Sequence, residues 1–265
     1  MLSEAFEFLL TPTTKLARKY GFLYSSIALR HRYERCKKIW IPHLKNCQDL
    51  FNETVQKVPQ KRHVIILGSA HLHEIPIHLL LKDFEQITLV DVVHPLKHHW
   101  LAKRNPRVKL VTQDLTEGLQ YLESLQSLED LHQLNDRLAK EEIFKFSGDL
   151  IISANLLSQL ALLPIEAIER KIKRSLTIEE KDKVCTAFAE NHVRNLSRCE
   201  GKKLIYADRT VTYKNRNGEI IYQGFYPVDF SGFQFLKKWN WSIAPIGEAS
   251  KEYSIEMTIE AYAQD

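Results

Sequence analysis

Between residues 62 and 208, short apolar runs alternate with helical stretches. No other feature of this chain constrains its fold as tightly. "HVIILG" (63–68), "QITLVDVV" (86–93), "RVKLVTQD" (107–114), "GDLIISANL" (148–156) and "KKLIYADRTVTY" (202–213) are nearly continuous apolar segments. Such runs suit strands buried on both faces. "EIPIHLLLKDF" (74–84) and "PLKHHWLAKR" (95–104) fall between them and read as helices, with Pro76 tolerated in a first turn. Strands alternating with helices imply βαβ units, so the expected class is α/β, with a mostly parallel sheet flanked by helices.

The flanking segments differ. Residues 14 to 58 carry apolar side chains at three- and four-residue steps (Leu16, Tyr20, Leu23, Ile27, then Ile39, His43, Leu44, Cys47, Leu50 and Phe51). They predict an N-terminal helical extension over residues 1–60, broken into two or three helices, with Pro42 kinking or ending one. Residues 117–147 predict a helical insertion. Leu119, Leu122, Leu125, Leu128, Leu131 and Leu134 recur every third residue, a period that drifts around one straight helix and favours two short ones. "TIEEKDKVCTAFAENHVRNLSRCEG" (177–201) predicts a helix with a capping box from Thr177 and Glu180, and with Gly201 as its left-handed C-terminal cap. Residues 209–226 predict a hairpin turning at Asn217–Gly218. "WNWSIAPI" and "YSIEMTIEAYA" predict a further antiparallel pair. The extension is thus set against one domain over residues 61–265.

Composition bounds the setting. Of 265 residues, 44% are hydrophobic and 26% charged, as in ordinary globular proteins. The N-terminal "MLSEAFEFLL" lacks a basic region and carries Glu4 and Glu7, so no signal peptide is expected, and no apolar run is long enough for a membrane span. Cys36, Cys47, Cys185 and Cys199 form no CxxC pair, which fits reduced thiols and a cytoplasmic location. Residues 15–62 hold twelve Lys and Arg against three acids, a net of +9 where the whole chain carries +4. Such a segment suits either an anionic partner or docking on the acidic remainder.

The candidate chemistry lies at strand ends. In an open parallel sheet, ligands sit beyond the carboxyl ends of the strands. Gly68 would turn the chain tightly after the first strand, and Ser69 and Ala70 are small enough for close approach. The following helix N-terminus offers free N–H groups. Asp91, 23 positions after Gly68, ends the second strand and is placed to take both hydroxyls of a ribose. Asp114 ends the third strand; Ser153 and Asn155 end the fourth. Each acid can equally cap its own turn. Asn155 is a candidate for orienting a substrate, and His71, Asp208 and Tyr206 are candidate proton handlers.

Seven of the eleven histidines fall between positions 63 and 99. Imidazoles of His71, His73 and His94 beside Glu74 would make reasonable metal ligands. No metal is assigned, and these histidines are expected at the surface, some of them lining a cofactor mouth.

Taken in order, "LGSAHLHE", "LVDVV", "VTQD", "DLIISANLLSQL" and "LIYADR" resemble the strand ends of class I S-adenosylmethionine-dependent methyltransferases over residues 62–208. The resemblance implies a Rossmann-like methyltransferase sheet closed by antiparallel C-terminal strands. It implies S-adenosylmethionine as cofactor, with Gly68, Ser69, Ala70, Asp91 and Asp114 at its site and an unspecified methyl acceptor. The chain departs from the family where second and third glycines belong: Ala70 and Leu72 stand there. A non-glycine residue forced to positive φ costs about 1 kcal/mol or more. The alternative reading is therefore a cofactor-poor protein of the same fold, holding an anionic partner through its basic helices. A third is a metal-dependent enzyme built on the histidines.

Overall fold

A computed structural model describes residues 7–116 and 118–265, with the backbone alone at 119, 120, 128, 131 and 135. A helical stretch over residues 7–10 and the helices α1 (Lys15–Lys19) and α2 (Phe22–Gln56) precede the sheet. The alternating part follows as β1 (His63–Leu67), α3 (Ile77–Asp83), β2 (Gln86–Asp91), α4 (Leu96–Arg104) and β3 (Val108–Thr112). Then come α5 (Gly118–Ser124), α6 (Leu128–Leu138), β4 (Ser147–Ala154), a short 3-10 turn (Leu157–Gln159), α7 (Leu162–Ile172) and α8 (Ile178–Arg198). The chain ends in β5 (Glu200–Asn215), β6 (Ile220–Phe225), β7 (Gln234–Ala244) and β8 (Tyr253–Gln264).

The strands form one sheet in the order β3-β2-β1-β4-β5-β8-β7, with β6 paired to β5. Strands β1 to β5 are mutually parallel, while β6, β7 and β8 pair antiparallel. This is the expected α/β architecture: a mostly parallel sheet, flanking helices and antiparallel C-terminal strands. Period-two alternation explains the continuous apolar runs. Ile65, Leu67, Ile151 and Ile205 pack under α7 and α8, while Val64, Ile66, Leu150, Ile152 and Leu204 face α2 and α3. The order reverses between β1 and β4, so their carboxyl ends flank the crevice where a ligand binds in such a sheet.

Three expectations are corrected. Helix α2 is a single helix of 35 residues that runs through Pro42. Pro42 lies on the exposed face, so the Lys38 carbonyl deprived of its partner is open to solvent, and Asn46 Nδ2 reaches back to the Pro42 carbonyl at 2.9 Å. Gly201 is no helix cap: α8 ends at Arg198 with Cys199 as its cap, and Gly201 already belongs to β5 with φ +116. Three of the seven clustered histidines are not at the surface, whereas His78 is exposed and His63, His73 and His99 are half-buried. His71, His94 and His98 are each 2% exposed or less, because α2 lies across the loop after β1.

The leucine-rich insertion does divide into two short helices. Leu122, Leu125 and Leu134 are buried there; the side chains at 119, 128 and 131 lie outside the described residues. The Thr177–Glu180 capping box forms in full, with hydrogen bonds of 2.8 and 3.2 Å. Gly218 makes its turn at φ +82.

The basic segment meets the protein's own acids. Arg35 forms a two-pronged bond to Glu248 (2.9 and 2.6 Å), Arg30 pairs with Glu7 at 3.2 Å, Lys19 with Glu123 at 2.7 Å and Arg62 with Asp149 at 3.1 Å. Among the described residues no helix is long and apolar enough to cross a membrane.

Candidate functional site

The loop after β1 keeps a glycine-type backbone without the glycines. Gly68, Ala70 and Leu72 stand at φ +79, +38 and +58. Two of these belong to residues that pay for the left-handed region through Cβ crowding, at about 1 kcal/mol or more each. Ala70→Gly is therefore expected to raise the unfolding free energy by about 1 kcal/mol, less the smaller entropic cost of glycine. A urea midpoint unchanged or lower would show that the loop is not strained there.

Asp91 explains why the loop holds this shape. Its Oδ2 accepts the Ala70 N–H at 2.7 Å, tying the end of β2 to the turn after β1, and its Oδ1 accepts the Val93 N–H at 3.4 Å. Burial pushes this carboxyl up, against the pull of the Ala70 N–H and of His94. Gly68 and Ser69 donate their N–H groups to the Val90 carbonyl at 2.9 and 3.3 Å. The Cα of Gly68 faces Leu156: a Cβ there would lie 2.4 Å from Leu156 Cγ.

Beneath α2 this crevice holds unsatisfied polar atoms. Ser69 Oγ, His71 Nδ1, His94 Nδ1 and both ring nitrogens of His98 are buried without a hydrogen-bond partner among the described residues. His71 Nε2 donates to the Ser26 carbonyl at 2.8 Å, and His94 Nε2 to the Val111 carbonyl at 3.0 Å, which leaves each Nδ1 as a bare acceptor. Lys97 Nζ donates to the His71 carbonyl. His73 stacks on Tyr33 of α2, ring centroids 3.6 Å apart. Burial, then the nearby Lys97 charge, pushes His71 down to about 4 and His73 and His98 down to about 3.

The remaining predicted residues divide into two groups. Asp114 turns inward on its own loop, its Oδ1 accepting the Thr116 N–H and Oγ–H at 2.9 and 2.7 Å. Ser153 faces α8, hydrogen-bonded to His192 Nε2 at 2.8 Å, away from the strand ends. Asn155, Tyr206 and Asp208, by contrast, come together where β5 runs on past the end of β4. Asn155 Oδ1 accepts the Asp208 N–H at 3.2 Å, and its own N–H donates to the Tyr206 carbonyl at 2.8 Å. His71 is on the other side of the crevice, under α2.

Sequence reasoning missed two members of this second group. Glu74 appeared only as a companion of the histidines; its Oε1 in fact receives Asn155 Nδ2 at 3.5 Å. His43 appeared only as part of a helical stripe. It is 1% exposed, stacked on Trp241 at 4.1 Å, with Nε2 at 3.4 Å from Glu74 Oε1 and 3.6 Å from Cys47 Sγ. The signal was present: a polar ring on an otherwise apolar helix stripe needs a buried partner.

His43, Cys47 and Glu74 present ligand-type atoms within 4.8 Å of one another. The tautomer of His43 argues against a metal there. Trp239 Nε1, which can only donate, bonds His43 Nδ1 at 3.0 Å. The neutral ring then carries its proton on Nε2, facing Glu74 and Cys47, where a metal would need a lone pair. Trp239, His43 and Glu74 thus form a polar chain from β7 through α2 to the strand ends.

No protein-family profile matches the chain, and no curated protein matches it. Among solved structures it is similar to a Burkholderia thailandensis 1,6-didemethyltoxoflavin-N1-methyltransferase with bound S-adenosylhomocysteine. Identity is 14% over 96% of this chain and 92% of that one, with a TM-score of 0.43. It is similar also to a Leishmania major S-adenosylmethionine-dependent methyltransferase, at 11% identity over 99% and 81% of the two chains and a TM-score of 0.39. The N-methyltransferase NodS of Bradyrhizobium japonicum, in complex with S-adenosylhomocysteine, matches at 9% identity over 83% and 86%, with a TM-score of 0.39.

Proposed function

We propose that this protein is an S-adenosylmethionine-dependent methyltransferase. One observation carries the reading. At the point where the strand order reverses, the turn after β1 adopts left-handed geometry at three alternate residues, and Asp91 at the end of β2 fastens that turn by its Ala70 N–H. A chain with no ligand to place there has no reason to keep alanine and leucine in a costly conformation.

The residues present fit the cofactor. A carboxylate has about four lone-pair sites, and Asp91 uses one for Ala70 and one for Val93, leaving capacity for ribose hydroxyls. Ser69 Oγ and His94 Nδ1, buried and unpartnered nearby, supply a donor and an acceptor. Gly68 and Ala70 would form the floor, and Asp114 the neighbouring wall. Leu156 closes over Gly68 and would have to turn aside. When bound, S-adenosylmethionine supplies an activated methyl group on its sulfonium. The protein's own residues then have to bind, orient and exclude water. Asn155 and Asp208 hold the acceptor side, and α2 covers the loop.

The test is a calorimetric titration of the full chain with S-adenosylmethionine and S-adenosylhomocysteine. Micromolar binding is expected, weakened at least tenfold in Asp91→Asn, which keeps the shape and removes the charge-assisted acceptor. Folded protein that binds neither compound would sink the reading.

A further inference from the structure

Two acidic residues, Glu74 and Asp208, are held by one asparagine at the acceptor end of the crevice, and the one ring that meets them, His43, faces Glu74 at 3.4 Å as a neutral N–H donor. Asn155 links the two residues, donating Nδ2 to the Glu74 carboxylate (Oε1, 3.5 Å) and accepting the backbone N–H of Asp208 on Oδ1 at 3.2 Å. Ser158 Oγ donates to Asp208 Oδ1 at 2.7 Å. Among the described residues the other oxygen, Asp208 Oδ2, and the Tyr206 hydroxyl are both buried with no partner in hydrogen-bond geometry; their residues are 2% and 0% exposed. Among the described residues no Lys or Arg pairs with Glu74 or Asp208. Arg209, next in the chain, is directed at the Tyr226 carbonyl (2.7 Å) and at Glu260 (3.3 Å).

Burying a carboxylate without a compensating charge is expensive, and two neighbouring ones repel each other. The arrangement makes sense if a positive group arrives from outside. It would repel a phenolate, a carboxylate or a phosphate. We propose that Glu74 and Asp208, bridged by Asn155, form a cation subsite that receives a protonated amine, so that the methyl acceptor is a nitrogen compound. The proposal rests on the methyltransferase reading only in calling the occupant an acceptor. Burial and the Glu74 charge push the Asp208 carboxyl up to about 6, as expected for an acid kept waiting for a counter-charge. Tyr226 lies within reach of the same field, its hydroxyl pushed up first by burial and then by Asp208.

The donor molecule carries an ammonium of its own, so the experiment separates the two sources. Binding of benzylamine, phenol and benzoate to the full chain is measured by ligand-detected NMR at pH 7.5, with and without saturating S-adenosylhomocysteine. Benzylamine is expected to bind at least tenfold more tightly than phenol, and benzoate not at all. Asp208→Asn and Glu74→Gln should each weaken benzylamine about tenfold while the protein still melts cooperatively. Phenol or benzoate binding as well as benzylamine, or none of the three binding, overturns the proposal. Displacement of benzylamine by S-adenosylhomocysteine overturns the acceptor assignment and gives the subsite to the donor's ammonium. If a variant does not fold, the order of the three probes on the unsubstituted protein still decides. Benzylamine binding without any S-adenosylhomocysteine binding would sink the methyltransferase reading and leave the cation subsite standing.

Discussion

Gly201→Ala is expected to lower the unfolding free energy by about 4 kcal/mol or more and the melting temperature by on the order of 10 °C. Gly201 sits at φ +116, and a Cβ on it would lie 1.7 Å from the Gly148 carbonyl oxygen and 2.9 Å from its carbonyl carbon. Backbone cannot swing aside as a side-chain tip can, so β4 and β5 would have to part. The ladder there is already irregular: Ser147 pairs with Glu200 and Leu150 with Lys202, so Gly148 and Asp149 together oppose Gly201. That bulge aims Asp149 at the start of β1, where its Oδ2 accepts the N–H groups of Arg62 and His63, both at 2.9 Å. Parting the strands would therefore loosen the first strand too. Gly218→Ala is the control. It shares positive φ, +82, but has no atom of the described residues within 4 Å of its Cβ position, and should cost only about 1 kcal/mol. Urea unfolding of both variants measures the contrast. Equal midpoints would mean that the crossing of Gly201 over Gly148 is not tight.

Gly201 also shows where sequence reading stops. A glycine after a helical pattern reads as a cap, because capping is a local event and the sequence records local events well. Its real role depends on a strand 53 residues earlier coming within bonding distance, and no local pattern encodes that. The same division runs through the molecule. Strands β1 to β5 were legible because two-sided burial writes a continuous apolar run. The Thr177–Glu180 box was legible because its two hydrogen bonds lie within one turn. The continuity of α2 through Pro42 was not, since whether a proline breaks a helix depends on which face it occupies. At the site, Gly68, Ala70 and Asp91 could be placed from their order along the chain. Glu74 and His43 could not, because their meeting requires α2 to cross the sheet and Trp239 to come in from β7. The buried histidines were misplaced for the same reason: nothing near them in the sequence announces the helix that covers them.

Those histidines make the fold acid-sensitive. His71, His98 and His192 are each 2% exposed or less, and burial holds them down to about 4, 3 and 3. In the unfolded chain each titrates near 6.5. Between these values the unfolded state binds protons that the folded state refuses, so stability is complete above pH 6.5 and falls as pH drops toward the folded values. At pH 5 each of the three has lost about 2 kcal/mol. Asp208 acts in the opposite sense. Its carboxyl is raised to about 6 in the folded protein, so its contribution is present at low pH and disappears as pH rises through 6, returning about 1 kcal/mol on acidification from pH 7 to 5. For these four groups together the expected loss is on the order of 5 kcal/mol, as much as the whole stability of a marginally stable domain. His98 is the residue to replace, because neither of its ring nitrogens has a hydrogen-bond partner among the described residues. His98→Leu fills similar space, exposes no bound partner and cannot take up a proton in the unfolded chain. It should raise stability slightly at pH 7 and by about 2 kcal/mol more at pH 5. Urea midpoints at the two pH values give the difference directly. A His98→Leu protein that loses as much stability between pH 7 and pH 5 as the unsubstituted chain would place the acid sensitivity elsewhere, with His71 and His192 the next to replace.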